Sequence, residues 1–548
     1  MNKNIKKCFI LSGVLSCNYL LNKKYNVNSL LHTNIINNSY IKNILESYKN
    51  SRLFNINAIH CYNNSKKNLI SYSRKQVSEH NNKDKRVWVT YEDGVYDITD
   101  FIESHPGGTK KIMMAAGGSI EPFWALYTFH KTENIKKLLE DYRIGTLNKE
   151  DILKPEDIKK FKDTENARIE DRTSELIVLN KFPYNAEAPE ESLANNFYTP
   201  KELLFVRSHN AVPNKIDLDK YEFTLEIPDE LSNYKTHKLK LTDILNKYKT
   251  TGKNTILACA GLRRSQVVID GETPQGLQWK SGAIANGYWE GIAIKDLLAD
   301  YGYNIINCEN LHLICEGNDS DIQGENYNVS VPLKFAIEQG LLAYKYNGED
   351  IPLDNGYPMR LIIAGSVGVR NVKWVKNIRV SDKMASGPYQ QKDYKIVKDK
   401  KADMSKIKPV YKWEINSSIL SPINNKDIKL DDIMTEKAGL IPIKGWAFGT
   451  DGAEISKIEI SFDNGKTWYN VDDYKYVKND DGKVYGWTLW NYNLDLSKNR
   501  HYISNNKLNI AVKAVDKLGN QQVPEVNQAW NVRGILNNSY HRISVNMI

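Results

Sequence analysis

The sequence predicts a multidomain α+β chain that ends in an all-β unit, and three observations predict it. A length of 548 residues exceeds one ordinary core, because domains run at about 100–200 residues. Helical and strand patterns mix as far as about residue 400. Beyond residue 405 only short alternating strands separated by turns such as "DNGK" remain, which argues for an immunoglobulin-like β-sandwich over 405–548. With 41% hydrophobic and 26% charged residues, most of the chain can fold. The net charge of +9 is spread out, and no long Lys/Arg block points to nucleic acid.

Residues 1–80 are rich in Asn, Ser and Lys, with only Glu46 and Glu79 as acids. That composition reads as a transit peptide or as a disordered, low-complexity extension. The patch "CFILSGVLSC" is too short and too interrupted to span a membrane. The cysteines, Cys8, Cys17, Cys61, Cys259, Cys308 and Cys315, form no CxxC and no Cys/His metal spacing. Neither a zinc module nor a disulfide scaffold is expected, and the thiols are reduced or buried.

Ordered sequence is expected to begin near "RVWVTYEDGVYDITDFIESHPGG", where Val87, Val89 and Tyr91 alternate before a "DG" turn. The first folded unit is placed at 84–147 and a polar tether at 148–195. A mixed α+β domain follows at 196–400, with strands at "NTILAC", "LHLICEG" and "MRLIIAG".

Two histidines form the first candidate site. His105 lies in "HPGG", where Pro106 stops a helix and the glycines allow a flat ligand to come close. His130 follows Phe123, Trp124, Leu126, Tyr127 and Phe129. A lone histidine in a turn is more often structural. Two neutral imidazoles across an apolar slot are what a six-coordinate haem iron needs. The segments "YDITDFIESHPGGTKKI" and "AAGGSIEPFWALYTFHKTENIKKLLEDYRIGTL" resemble cytochrome b5 domains, in the version found in the sulfite oxidase family. The resemblance implies that His105 and His130 are the axial ligands of a haem b that carries electrons.

Cys259, in "ILACAGLRRS", is the second candidate. A buried structural cysteine is the ordinary reading. Yet positive neighbours favour a thiolate, and Ala258, Ala260 and Gly261 leave room for a bulky group. The runs "ELLFVRSHNAVP", "LACAGLRRSQ", "GLQWKSGAI", "CEGNDSD", "NGYPMRLIIAGSVGVRNVKW" and "QQKDYK" occur in the order and spacing of the sulfite oxidase family's molybdenum domain. The C-terminal unit, down to "WNVRGILNNSYHRISV", is similar to that family's dimerisation domain.

The resemblance implies that Cys259 gives its thiolate to the molybdenum of a molybdopterin cofactor. Cofactor contacts then fall on Leu204, Phe205, Val206, Arg207, Ser208, Asp319, Asn355, Arg360, Asn371, Val372 and Lys373. Arg360 and Lys373 suit the pterin phosphate. Sulfite is a small oxyanion, and the arginines that would bind it are Arg207, Arg264 and Arg533, with Trp279 and Tyr394 lining the pocket. Tyr394 would donate a hydrogen bond or help couple proton and electron movement. Arg263 is expected to be structural. Three positions depart from the family: Leu262 replaces the Asn of "CAGNRR", Asn355 replaces the His of "DHG", and Lys280 stands where Arg is common.

The resemblance further implies oxidation of sulfite to sulfate, electrons passed singly through haem b to cytochrome c, a homodimer through the C-terminal domain, and the mitochondrial intermembrane space. No SKL-type signal ends the chain. Two alternatives stay open. One is a molybdenum enzyme like assimilatory nitrate reductase, disfavoured because the haem comes first and no GxGxxG or flavin unit follows. The other is a haem electron-transfer protein with a degenerate molybdenum domain.

Overall fold

The computed structural model describes residues 69–152 and 172–548, apart from 107, 114, 127–129, 131, 181–182, 211, 214–215, 230–232, 304–307, 321–325 and 400–401. The targeting or disordered reading of 1–80 therefore lies almost wholly outside the described residues.

The first unit is a four-stranded sheet with short helices on it. Its strands are β1 (Ile70–Tyr72), β2 (Trp88–Tyr91), β3 (Gly94–Asp97) and β4 (Arg143–Leu147), ordered β1-β4-β3-β2. Val87, Val89, Tyr96, Ile98, Ile102 and Trp124 make the core. The alternation read in the sequence sends Val87 and Val89 inward. The hairpin loop is Glu92 and Asp93, because Tyr91 pairs with Gly94, so Gly94 opens β3 instead of closing the turn. The unit is longer than 84–147. β1 pairs in parallel with β4, and Val77 of helix α1 (Arg74–Glu79) packs with Val95 and Leu147. Asn148 accepts from the Ser71 hydroxyl, and Asp151 accepts from the Arg74 amide.

The second unit starts earlier than expected. Residues 172–195 are not tether but wall. There β5 (Ile177–Asn180), β6 (Asn185–Glu187) and β7 (Val206–Arg207) form a small antiparallel sheet. Ala186, Ala188 and Leu193 are buried in the large core. Polar composition concealed this, because Asn185 and Glu187 are buried there among the apolar side chains.

Two five-stranded sheets follow. The strands are β8 (Glu222–Pro228), β9 (Tyr234–Lys240), β10 (Thr251–Ala258), β11 (Ile284–Ala293), β12 (His312–Ser320), β13 (Asn326–Pro332), β14 (Gly340–Tyr346), β15 (Glu349–Asp350), β16 (Arg360–Ile363) and β17 (Val375–Ser381). One sheet runs β10-β11-β14-β15 with β16 on β14, and the other runs β13-β12-β17-β8-β9. In β10, Asn254 to Ala258 are all buried. A strand covered on both faces reads as a continuous apolar run, which is why "ILA" leads straight into the cysteine.

The C-terminal unit is a sandwich of two sheets. One is built on Asn416–Ser421, Leu440–Phe448 and Thr488–Asp495, the other on Ile455–Ser461, Lys507–Asp516 and His541–Met547. Ile443, Trp490, Ile460 and Val512 meet between them. The sandwich is tied to the second unit by Arg263, which is fully buried. Its guanidinium donates to Asn416 Oδ1 (2.7 Å), Ser417 O (3.1 Å) and Ser539 O (2.9 Å). The structural role expected of Arg263 is thus visible.

Candidate active site

The first site is the facing histidine pair. His105 caps the short helical turn Thr99–Ser104, and His130 follows helix Glu121–Leu126. Their rings lie 6.2 Å apart between centroids and within 8° of parallel. That gap admits one metal ion bound to a nitrogen of each ring at about 2 Å. Phe101 stands edge-on to His105, Trp124 lies 5.8 Å from His130, and Phe123 and Ile112 pack beside them. The donors and the apolar walls fit a haem. Tyr127 and Phe129 lie outside the described residues, and the side chain of Leu126 is not described.

The second site is a cleft in the second unit. Cys259 lies at its floor, one residue beyond β10, fixed by its amide donating to Ala283 O (3.0 Å). Phe205, Arg207 and His209 alternate along β7 and its continuation, and all three line the cleft. Leu204 and Val206, expected as contacts, are buried in the core, and the cleft-lining residues do not include them. Ser208 acts through Lys373, whose Nζ donates to its hydroxyl (2.8 Å) and to Asp354 O (2.8 Å). Asp319, Asn355, Arg360, Asn371, Val372, Lys373 and Tyr394 line the cleft.

Arg264 and Trp279 are buried beside it. Arg264 donates to Arg533 O (2.8 Å) and Leu277 O (2.7 Å). A Cβ on Gly261 would lie 2.5 Å from its guanidinium, and one on Gly276 2.8 Å, so these glycines make the guanidinium's seat. Trp279 stands edge-on to Phe205, and its Nε1 is buried without a hydrogen-bond partner. Arg533 is one-third exposed and held by Asp393 (2.6 Å), next to Tyr394.

Sequence reasoning passed over His209, Tyr327 and Tyr389. His209 was findable, because a strand that points Arg207 into a site points residue 209 there too. Its Nδ1 lies 3.1 Å from Arg207 Nη2 and its Nε2 2.8 Å from the Tyr394 hydroxyl. The Tyr389 ring lies 4.1 Å from that of His209, tilted by 43°, and Tyr327 donates to Val369 O (2.8 Å).

The cleft is strongly cationic. Burial lowers Arg360 to about 9 and also lowers Lys373 and Arg264. Burial opposes the Arg207 cation too, but Tyr394 and Cys259 outweigh it, and its pKa is raised. Burial pushes Asp319 up and Tyr394 to about 12. Arg360 donates to Asn355 O (2.6 Å) and Asn371 O (2.8 Å), and its Nε has no partner. Buried cations with unspent donors require an anion to offset their desolvation. A phosphate-bearing pterin and an oxyanion substrate meet that requirement, and one thiolate as the protein's donor leaves the other metal ligands to the cofactor.

The departures from the family fall differently. Leu262 is buried in the core away from the cleft, and the Lys280 side chain is exposed. Asn355 faces the cleft and donates to Phe205 O (3.0 Å).

The fold and the two sites define a molybdopterin oxidoreductase joined to a b5-type haem domain. Family models agree: cytochrome b5-like heme/steroid binding domain over 73–148, oxidoreductase molybdopterin binding domain over 209–389, and Mo-co oxidoreductase dimerisation domain over 407–548. The mitochondrial sulfite oxidase of Drosophila melanogaster is 36% identical, over 88% of this chain and 82% of its own. The human mitochondrial enzyme is 35% identical, over 86% and 84%. The sulfane dehydrogenase SoxCD from Paracoccus pantotrophus shares the fold, with a TM-score of 0.51 at 21% identity over 65% of this chain and 83% of its own. The chain belongs to the sulfite oxidase family.

Proposed function

We propose that the protein oxidises sulfite to sulfate and passes the electrons through its haem domain to a further protein. The observation that carries this is a cysteine, Cys259, set among the cations Arg207, Arg264, Arg360 and Lys373, of which Arg264 and Arg360 are buried, in a chain that also pairs His105 with His130. One sulfite and one water give one sulfate, two protons and two electrons. Cys259 would hold a molybdopterin centre, which would supply oxygen-atom transfer, and His105 and His130 would hold a haem, which would supply one-electron transfer.

The chain's own residues do the rest. Arg360, Lys373, Asn355 and Asp319 hold the pterin end, and Asn371 and Val372 shape its wall. Arg207, Arg264 and Arg533 draw in the oxyanion, and Trp279 Nε1 offers a further donor. Tyr394 keeps its proton at neutral pH and can donate a hydrogen bond to the oxyanion. Leu204, Val206 and Ser208 support from behind. Residues 153–171 connect the haem unit to this domain in sequence. A mitochondrial location follows that of the relatives, and the intermembrane space with cytochrome c as acceptor is the finer reading. The C-terminal unit would pair two copies. Among the described residues no helix is long and apolar enough to cross a membrane.

The test is anaerobic sulfite added to the full chain. Reduction of the haem bands with about one molybdenum per chain supports the proposal. A haem left oxidised at full metal content overturns the substrate, and reduction reversed by nitrate would favour the nitrate reductase reading.

A further inference from the structure

Arg172 is the first described residue after 153–171, and it does not lie loose on the surface. Its guanidinium grips Asp354 with two bonds, Nε to Oδ2 at 2.7 Å and Nη2 to Oδ1 at 3.0 Å. It also lies 4.0 Å over the ring of Tyr184. The two charged side chains are only 9% and 15% exposed. A two-pronged, stacked and buried arginine is a fixed joint, because the planar fork matches a carboxylate in one geometry.

What it grips matters. Asp354 is the middle residue of the helical turn Leu353–Asn355. All three backbone carbonyls of that turn are held by groups of the cleft or its wall. Leu353 O accepts from Trp374 Nε1 (2.9 Å), Asp354 O from Lys373 Nζ (2.8 Å), and Asn355 O from Arg360 Nη1 (2.6 Å). The turn therefore sets where two cofactor-facing cations and Asn355 stand. Arg172 reaches it across 182 positions of sequence, from the point where the connection to the haem unit ends.

We propose that Arg172 is a positioning residue that latches the end of the interdomain connection to the cofactor turn, so that cofactor retention and the anchoring of the connection are coupled. The proposal rests on the reading of the cleft as the cofactor site. Coupling between two places in a protein is reciprocal. A bound cofactor must therefore steady residues 172–180, and loss of the Arg172 grip must loosen the cofactor.

The test uses the full chain. Molybdenum and pterin per chain are measured before and after prolonged gel filtration, and amide hydrogen exchange is followed in 172–180 and 350–360. Arg172→Ala should lose cofactor about fivefold faster or more, at the lower end of ordinary coupling between sites. Its segment 350–360 should exchange faster even when loaded. In the unaltered chain, removing the cofactor should speed exchange in both segments together. Arg172→Lys, which keeps charge but loses the fork, should fall between and covers the case that the alanine variant does not fold. Unchanged retention and exchange in both variants would overturn the latch. Lys373→Ala serves as the control: if it too keeps its cofactor, the cleft reading itself has failed.

Discussion

His209 donates a hydrogen bond from Nε2 to the hydroxyl oxygen of Tyr394, 2.8 Å away. The direction is fixed by a third residue. Arg207 Nη2 lies 3.1 Å from the other ring nitrogen, and an arginine can only donate. Nδ1 must accept, so Nε2 carries the ring's proton and points it at Tyr394. The tyrosine's own proton is thereby turned away from the histidine. Arg207, His209 and Tyr394 thus form one hydrogen-bonded chain at the wall of the cleft.

Breaking that chain at Tyr394 or at His209 should slow the reaction without unfolding the protein. Tyr394→Phe removes the donor, and His209→Gln loses the fixed direction. Each should lower kcat/KM by roughly 10–100-fold, the lower part of the range for a positioned proton donor. Steady-state rates with sulfite and an artificial acceptor measure it. The double variant should cost little more than Tyr394→Phe alone, because the two act as a unit. Additive losses would separate them.

Arg533 makes a different prediction. Asp393 holds its guanidinium at 2.6 Å, with both side chains about one-third exposed. An exposed pair of this kind contributes about 0–1 kcal/mol to stability. Its effect belongs to binding, because an oxyanion must compete with Asp393 for the arginine. Asp393→Asn should tighten inhibition by sulfate, and Arg533→Ala should weaken it, with melting temperatures nearly unchanged. Inhibition constants at fixed ionic strength check this; equal shifts in one direction would refute the competition.

The parts legible in the sequence were those whose pattern is local. His105 and His130 sit in short segments of fixed spacing, and Cys259 ends a wholly buried strand. Arg263 and Arg264 are adjacent, yet one ties down the sandwich and the other sits by the cleft. The left-handed backbone of Arg263, with φ at 61°, turns the chain between them. What stayed hidden depends on contacts far apart in the chain. His209 gains its meaning from Tyr394, 185 positions on, and Arg172 from Asp354. The wall at 172–195 was hidden because it buries polar and charged residues, Asn185 and Glu187, among its alanines, which carry little hydrophobic signal.

Leu262 tests whether the family pattern or the local packing governs this position. The side chain is 1% exposed and joins the core that surrounds Cys259. Leu262→Asn would restore the family's residue but bury an amide among apolar neighbours. An unsatisfied buried polar group costs about 1–3 kcal/mol. The variant should therefore melt earlier and gain no kcat/KM. Thermal melts and sulfite kinetics decide it, and an unchanged melt with faster turnover would mean that the asparagine finds partners here.

Glu187 supplies the prediction for pH. Its carboxylate is 2% exposed and accepts from the Lys280 amide at 2.9 Å. Burial outweighs the backbone donors and raises its pKa from 4.5 to about 8. A raised carboxyl binds a proton more tightly in the folded chain than in the unfolded one. The favourable contribution is thus complete below about pH 4.5 and is lost as pH rises through about 8. Stability should fall across that window, and the slope should flatten in Glu187→Gln, which cannot ionise. Melting temperatures of the two proteins at intervals between pH 5 and 8.5 would show it, using conditions in which the haem spectrum stays constant. Parallel curves for both proteins would place the titration elsewhere.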